Sequence, residues 1–158
     1  MSDATFEEGQ ERPLRLLAFE PGDLEILSSL CQDAIFPETE ISWRPKERRF
    51  AILLNRFRWE DARAAEQRKR GYERVQAVLT VEGALSVRSQ GVARGQGDLV
   101  LSLLSVAFVP GEDAAGRVQL ILAGDGLIEV EVEALDVTVR DVTRPYVAPS
   151  KSMPKHSE

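Results

Sequence analysis

Arg74-Val75-Gln76 opens an apolar run that closes on Glu82-Gly83-Ala84-Leu85-Ser86-Val87, and Arg117-Val118-Gln119 opens a second that closes on Asp125-Gly126-Leu127-Ile128-Glu129-Val130. Both stretches read as strand, acidic-glycine turn, strand, with glycine supplying the positive φ that a tight turn requires. Leu53 and Phe57 fall in register with Leu104 and Phe108 once the intervening connection shortens in the second copy. The pattern predicts two related three-strand units, with Val75, Leu79 and Val87 equivalent to Val118, Leu122 and Val130. Such a repeat constrains architecture and supplies no reactive group.

Around these units the apolar period changes from 3.6 to 2 residues. Residues 14–19 read as a first strand. Pro21 then suits the first turn of a helix, Glu20, Asp23 and Glu25 sit at the positive end of its dipole, and Leu24, Leu27, Leu30, Cys31 and Ala34 recur at helical spacing. Residues 35–43 form the next strand, with Pro37 at an edge or bulge. Residues 50–59 follow, with Leu53, Asn55, Phe57 and Trp59 on one face and Ile52, Leu54, Arg56 and Arg58 on the other. Residues 61–71 carry no apolar stripe and read as an exposed loop or a single helical excursion, the best candidate for a mobile insertion. Two hairpins are then expected, residues 73–81 with 84–89 and residues 117–123 with 127–139, separated by a long strand at 99–109. The expected core comprises Leu16, Leu27, Leu30, Leu53, Phe57, Val78, Leu101, Leu103, Phe108, Leu120, Leu122, Val130 and Val132, with Trp59 partly buried.

A chain of 158 residues with 43% hydrophobic content can bury one substantial core. The expected organisation is a disordered acidic leader over 1–12, a single β-rich domain over 13–143, and an extended or disordered tail over 144–158, where Pro145, Pro149 and Pro154 recur. No stretch approaches the ~20 apolar residues that span a bilayer. The first residues are acidic where a secretory leader is basic, and Cys31, the single cysteine, forms no intrachain disulfide. A cytoplasmic protein without membrane association is expected.

Charge is segregated along the chain. Residues 44–74 hold eleven Lys or Arg against five Asp or Glu, a local +6 that leaves −12 for the remainder of a chain whose total is −6. Segregated charge steers partners and selects orientation at an interface. Arg56 and Arg58, with Arg48, Arg68, Lys69 and Arg70, form the candidate surface for an anionic partner. Arginines two apart on a strand project from one face, and their planar forks hold carboxylates in a fixed orientation. The competing expectation is that Arg56 and Arg58 pair internally with acidic side chains on a neighbouring strand. Nucleic acid is disfavoured, because the protein is acidic and Phe57 and Trp59 lie on the face opposite those arginines.

At Cys31-Gln32-Asp33-Ala34, Asn55-Arg56-Phe57-Arg58-Trp59-Glu60, Ser102-Leu103-Leu104 and Gly126-Leu127-Ile128-Glu129-Val130-Glu131-Val132 the chain resembles a family of small proteobacterial proteins known as a domain of unknown function. The resemblance runs from Leu14 to about His156 and implies a cytoplasmic bacterial protein. It carries over no catalytic or binding residues.

Reactive groups are scarce. His156, the single histidine, lies on the tail, where catalytic geometry lacks rigid support. Cys31 falls on the apolar stripe of the helix and reads as a buried small hydrophobe. Gly91, Gly95 and Gly97 precede no helix start, which a phosphate cradle needs. Glu129, Glu131 and Glu133 alternate with apolar residues as the wet face of a strand does, and Arg88 is a candidate cationic neighbour for them. Together these features predict a mainly β protein with one N-terminal helix and about eight mostly antiparallel strands. They would form a barrel or sandwich of two pseudo-repeated units, pleckstrin-homology-like in general shape. The function expected is a non-catalytic protein-interaction or scaffold module, binding another protein through its polarised surface or a sheet edge and needing no cofactor or metal. The alternative is an enzyme or small-ligand-binding protein with a carboxylate and arginine pocket between the two half-units.

Overall fold

Alternation of apolar and polar side chains drives most of the chain into strands, and a computed structural model describes residues 12–92 and 99–147. In chain order these are β1 (Arg15–Ala18), α1 (Pro21–Cys31), β2 (Ala34–Pro37), β3 (Ile41–Arg44), β4 (Arg49–Phe57), α2 (Trp59–Gln67), β5 (Glu73–Glu82), β6 (Ala84–Gln90), β7 (Val100–Pro110), β8 (Gly116–Leu122), β9 (Leu127–Val132), β10 (Val137–Asp141) and β11 (Tyr146–Val147). All eleven strands belong to one antiparallel sheet in the order β1-β10-β5-β4-β2-β7-β8-β9-β6, with β3 added to β4 and β11 to β5. The sheet is not closed into a barrel. Its terminal strands, β1 and β6, each pair on one side only among the described residues.

Two of the expected strands divide and one expected hairpin does not form. The stretch 35–43 breaks after Pro37, whose ring supplies no N–H to a ladder, and a 3₁₀ turn at Glu38–Glu40 separates β2 from β3. The stretch 127–139 breaks at residues 133–136. The expected hairpin of 73–81 with 84–89 does not form: β5 pairs with β4 and β10, whereas β6 pairs with β9. Gly83 alone separates β5 from β6, and one residue at φ 68° bends the chain onward instead of back. The hairpin of β8 and β9 across Gly124-Asp125-Gly126 does form, with Gly124 and Asp125 both at positive φ. β4 pairs with β5 and β7 with β8, but β9 pairs with β8 whereas β6 does not pair with β5.

The chain changes halves of the sheet twice, from β5 to β6 and from β9 to β10. The two crossovers are tied together, Glu82 N–H donating to the Asp136 carbonyl and Glu133 N–H to the Gly83 carbonyl, each at 3.0 Å. Around one core the sheet thus bends so that β6 returns to the start of β4, where Ala84 N–H reaches the Arg48 carbonyl at 2.9 Å.

Helix α1 stops at Cys31, a turn earlier than its apolar spacing predicts, because Asp33 at φ 65° reverses the chain into β2. Its Leu24, Leu27 and Cys31 enter the core, and the Ser28 hydroxyl accepts from Val106 N–H of β7 at 2.8 Å. β4 ends at Phe57, short of the expected 59, and a second helix, α2, starts at Trp59 and runs into the excursion expected at 61–71, anchored by the fully buried Ala65. No helix among the described residues is long and apolar enough to cross a membrane.

The core takes Phe50, Ile52 and Leu54 of β4, which reverses the expected face of that strand and leaves Leu53 half-buried outside. Of the remaining expected core, Leu27, Phe57, Leu103, Leu120, Leu122, Val130 and Val132 are buried. Leu16, Leu101 and Phe108 pack against the core while partly exposed, and Leu30 and Val78 are half-buried. Phe57 and Trp59 misdirect the reading because they pack against each other at the end of β4, ring centres 4.6 Å apart, with Tyr72 at 5.6 Å from Phe57. Leu54→Ala is expected to cost about 2 to 5 kcal/mol and Leu53→Ala clearly less, an ordering that urea unfolding of the two variants measures directly.

Candidate functional site

The six basic residues of the candidate anionic-partner surface fall into three places. Arg56 follows Phe50, Ile52 and Leu54 on the inner face of β4 and is 0% exposed. Its guanidinium is enclosed by two carboxylates. Nη1 and Nη2 donate to Glu60 at 2.8 and 2.7 Å, Nη2 reaches Asp141 at 3.1 Å, and Nε reaches Asp141 at 3.3 Å. The Leu30 carbonyl at the end of α1 lies 3.4 Å from Nη1. Arg58 is also buried and pairs with Glu73. Arg70 forms a two-pronged pair with Asp61, at 2.7 and 2.6 Å. The expected exposure of Arg56 and Arg58 is thus replaced by internal pairing. An arginine on the most apolar face of a central strand is held inside only when carboxylates meet it.

Arg48 lies at the opposite end of β4, exposed and paired with Glu133 at the second crossover. Arg68 and Lys69 are exposed just past α2. Arg88 meets Glu129 at 2.6 Å, as the wet face of β9 called for, and Ser86 donates to Glu131 at 3.1 Å.

Burial disfavours charge on Arg56 and Glu60 alike, but their mutual hydrogen bonds and attraction prevail, holding the guanidinium above and the Glu60 carboxyl below its ordinary range. The Arg70 hydrogen bonds hold Asp61 low as well. Burial pushes the Cys31 thiol up to about 12, which leaves it protonated and unreactive.

A different part of the surface combines an open strand edge with two concavities. β6 pairs with β9 on one side, and on its other side no described strand pairs with it. Concavities flank that edge on both faces. On the inner face a cleft of about 460 Å³ separates β6 from β3, lined by Glu38, Ile41, Trp43, Phe50, Val87, Ser89, Val92 and Ile128. On the outer face a hollow of about 500 Å³ is lined by Arg88, Gln90, Arg117, Leu127 and Glu129 together with Val87 and Ser89. The alternation of β6 produces this arrangement, since Val87 and Ser89 turn inward and Arg88 and Gln90 outward. Glu38 lines the inner cleft, and its Oε2, buried from solvent, has no hydrogen-bond partner, the one such side-chain atom among the described residues.

Sequence reasoning missed Glu38, Trp43 and β6 as a site because the cleft exists only where β3 and β6 face each other across the bend of the sheet. Among the described residues no group of His, Cys, Asp and Glu could hold a metal ion. His156, Gly95 and Gly97 lie outside the described residues, and Gly91 directly follows β6 with φ 67°.

Fold and surface together define a mainly β protein built on a single antiparallel sheet. The chain belongs to the family described as protein of unknown function (DUF2948), whose model matches residues 14–156. No curated protein and no solved structure matches it.

Asp141→Asn, which removes one of the two charges facing Arg56, is expected to cost about 3 to 5 kcal/mol. Glu82→Gln, which breaks the exposed pair with Arg49, should cost at most about 1 kcal/mol. Because Glu60 and Asp61 are held below their ordinary values of 4.5 and 3.8, their contribution is complete above those values and is lost as pH falls through the lower, folded-state ones. The urea midpoint should accordingly be flat near neutrality and decline progressively once pH drops below 4.5.

Proposed function

We propose that this protein is a non-catalytic interaction module that takes an extended segment of a partner protein along the open edge of β6. The observation that carries the reading is the pair of concavities on the two faces of that edge. A strand added beside β6 would gain main-chain hydrogen bonds from the N–H and C=O groups that point away from β9. Its successive side chains would fall alternately into the inner cleft and the outer hollow, the geometry by which strand addition combines affinity with selectivity.

The filled interior supports the same reading. Phe50, Ile52, Leu54, Leu79, Leu120 and Val130, drawn from both halves of the sheet, are buried in one core cluster. Arg68 and Lys69, exposed past α2, remain in this proposal as a secondary contact for acidic groups of the partner. The rival reading, a small-ligand protein, draws on the half-buried Glu38 lining the same cleft.

Linear peptides selected from a random phage-displayed library test the proposal by amide hydrogen exchange. Bound peptides are expected to slow exchange of those β6 amides that face away from β9 and to leave β1, at the other end of the sheet, unchanged. Peptides that bind without altering β6 would overturn the assignment of the edge.

A further inference from the structure

Side chains on the outer face of β8, β9 and β6 stand in rows set by the register of the three strands. One row reads Gln119, Glu129, Arg88, and the next reads Arg117, Glu131, Ser86. Arg88 is the outermost group of its row, with 69% of its side chain exposed on the edge strand, beside the lane that an added strand would fill. Residues directly opposite each other on neighbouring strands interact, opposite charges favourably and like charges unfavourably. On the β9 side Arg88 already faces a carboxylate. On its other side would stand whichever residue the partner segment places there.

Glu129 does not depend on Arg88 alone. Its Oε1 receives Arg88 Nη2 at 2.6 Å and lies 3.5 Å from Arg117 Nη1, while Gln119 Nε2 donates to Oε2 at 3.0 Å. The Gln119 hydrogen bond foremost, and then the two arginines, hold the Glu129 carboxyl below its ordinary range against the effect of burial. Glu131, the cross-strand neighbour of Arg117, accepts from the Ser86 hydroxyl at 3.1 Å. Arg88 gives one of its N–H groups to Glu129, and a guanidinium has further donors in the same plane. Arg88 can therefore take a second carboxylate without leaving the first unpaired. The geometry points to an aspartate or glutamate of the partner segment as the residue beside Arg88, its carboxylate held by the guanidinium at the rim of the outer hollow.

Other occupants fit this place less well. A lysine or arginine there would meet Arg88 as a like charge, and an apolar side chain would take the guanidinium out of water without replacing its hydrogen bonds. A carboxylate matches the planar fork, which fixes the position of the acid as well as its charge. The contact would also set the register of the added strand. A slip of one residue turns every side chain to the other face, and the acid would then lie in the inner cleft beside Ile41, Trp43 and Val87.

This inference rests on strand addition at β6 and specifies the residue that the outer hollow reads. The test uses the full chain, the same random linear peptide library and the Arg88→Gln variant. Peptides selected on the parent protein should carry aspartate or glutamate at one fixed position, and replacing that acid by its amide should weaken binding to the parent about threefold to tenfold. On the Arg88→Gln protein the same replacement should change affinity little, a coupling that isolates this contact from any made by Arg68 and Lys69. Thermal unfolding of Arg88→Gln should stay close to that of the parent, since the pair it breaks is exposed on the arginine side and Glu129 keeps Gln119 and Arg117. A large fall in melting temperature would show that Glu129 relies on Arg88 and would overturn the sharing on which the inference stands. Peptides that protect β6 with no preferred acid, or whose acid matters equally to the parent and to Arg88→Gln, would overturn the inference and leave strand addition standing. Peptides that bind without protecting β6, or a library that yields no binder, would defeat both.

Discussion

Arg56 is the group on which the arrangement of this fold depends. Its guanidinium joins four elements: β4, which carries it, the adjacent α2 through Glu60, and, from far along the chain, β10 through Asp141 and the end of α1 through the Leu30 carbonyl. Asp141 extends the junction by accepting from Leu14 N–H at 2.9 Å, just ahead of β1. A hydrophobic side chain at position 56 could fill the same volume, but it would not fix the direction from which each neighbour approaches. Charge-assisted hydrogen bonds are directional, and a buried charge tolerates no arrangement that leaves it unpaired. The network continues outward through Arg58, Glu73, Asp61 and Arg70, so that α2 is fastened by ion pairs along a helix whose own sequence supplies few apolar anchors.

The opposite end of β4 is organised by the two crossovers. With β5 continuing into β6 and β9 into β10, the bend of the sheet brings β6 toward β3 and stops short of pairing them. The gap left between these strands is the inner cleft, and the unpaired side of β6 is its rim. An unpaired strand edge is ordinarily blunted by charge, a bulge or a covering element, because it invites association. Here Arg88, Gln90 and the irregular register between Ala84 and Ser86 qualify the edge without hiding it.

Much of this was legible in the sequence, and the rest was hidden for identifiable reasons. The strand content, the early helix, the hairpin at Gly124-Asp125-Gly126 and the cation beside Glu129 all follow from local pattern. The face of β4 did not, because Phe57 and Trp59, on the parity of Leu53 and Asn55, outweigh Ile52 and Leu54 in a reading of alternation, although they form a separate cluster with Tyr72. Phe50, Ile52, Leu54 and Arg56 share a parity that would have exposed the buried arginine, and Glu60 four residues on is its natural partner. Glu82-Gly83 resembles a turn by composition, yet the single glycine between two strands allows only a change of direction. Glu38 carried no local signal at all, since its neighbours across the cleft lie some fifty residues and more along the chain.

Interleaving of the two halves also sets the order in which the chain can assemble. β5 and β4 can pair as soon as both exist, but β10 must arrive before β1 and the outer side of β5 find their partners, and β6 waits for β9. Pairings of such wide sequence separation slow folding, because the entropy of closing the loop is lost before any contact rewards it. A chain emerging from its N-terminus therefore displays Arg56 before Asp141 has been made. During synthesis Arg56 has Glu60 within reach four residues on but lacks its second carboxylate, and the strand becomes an interior only once β10 has been made.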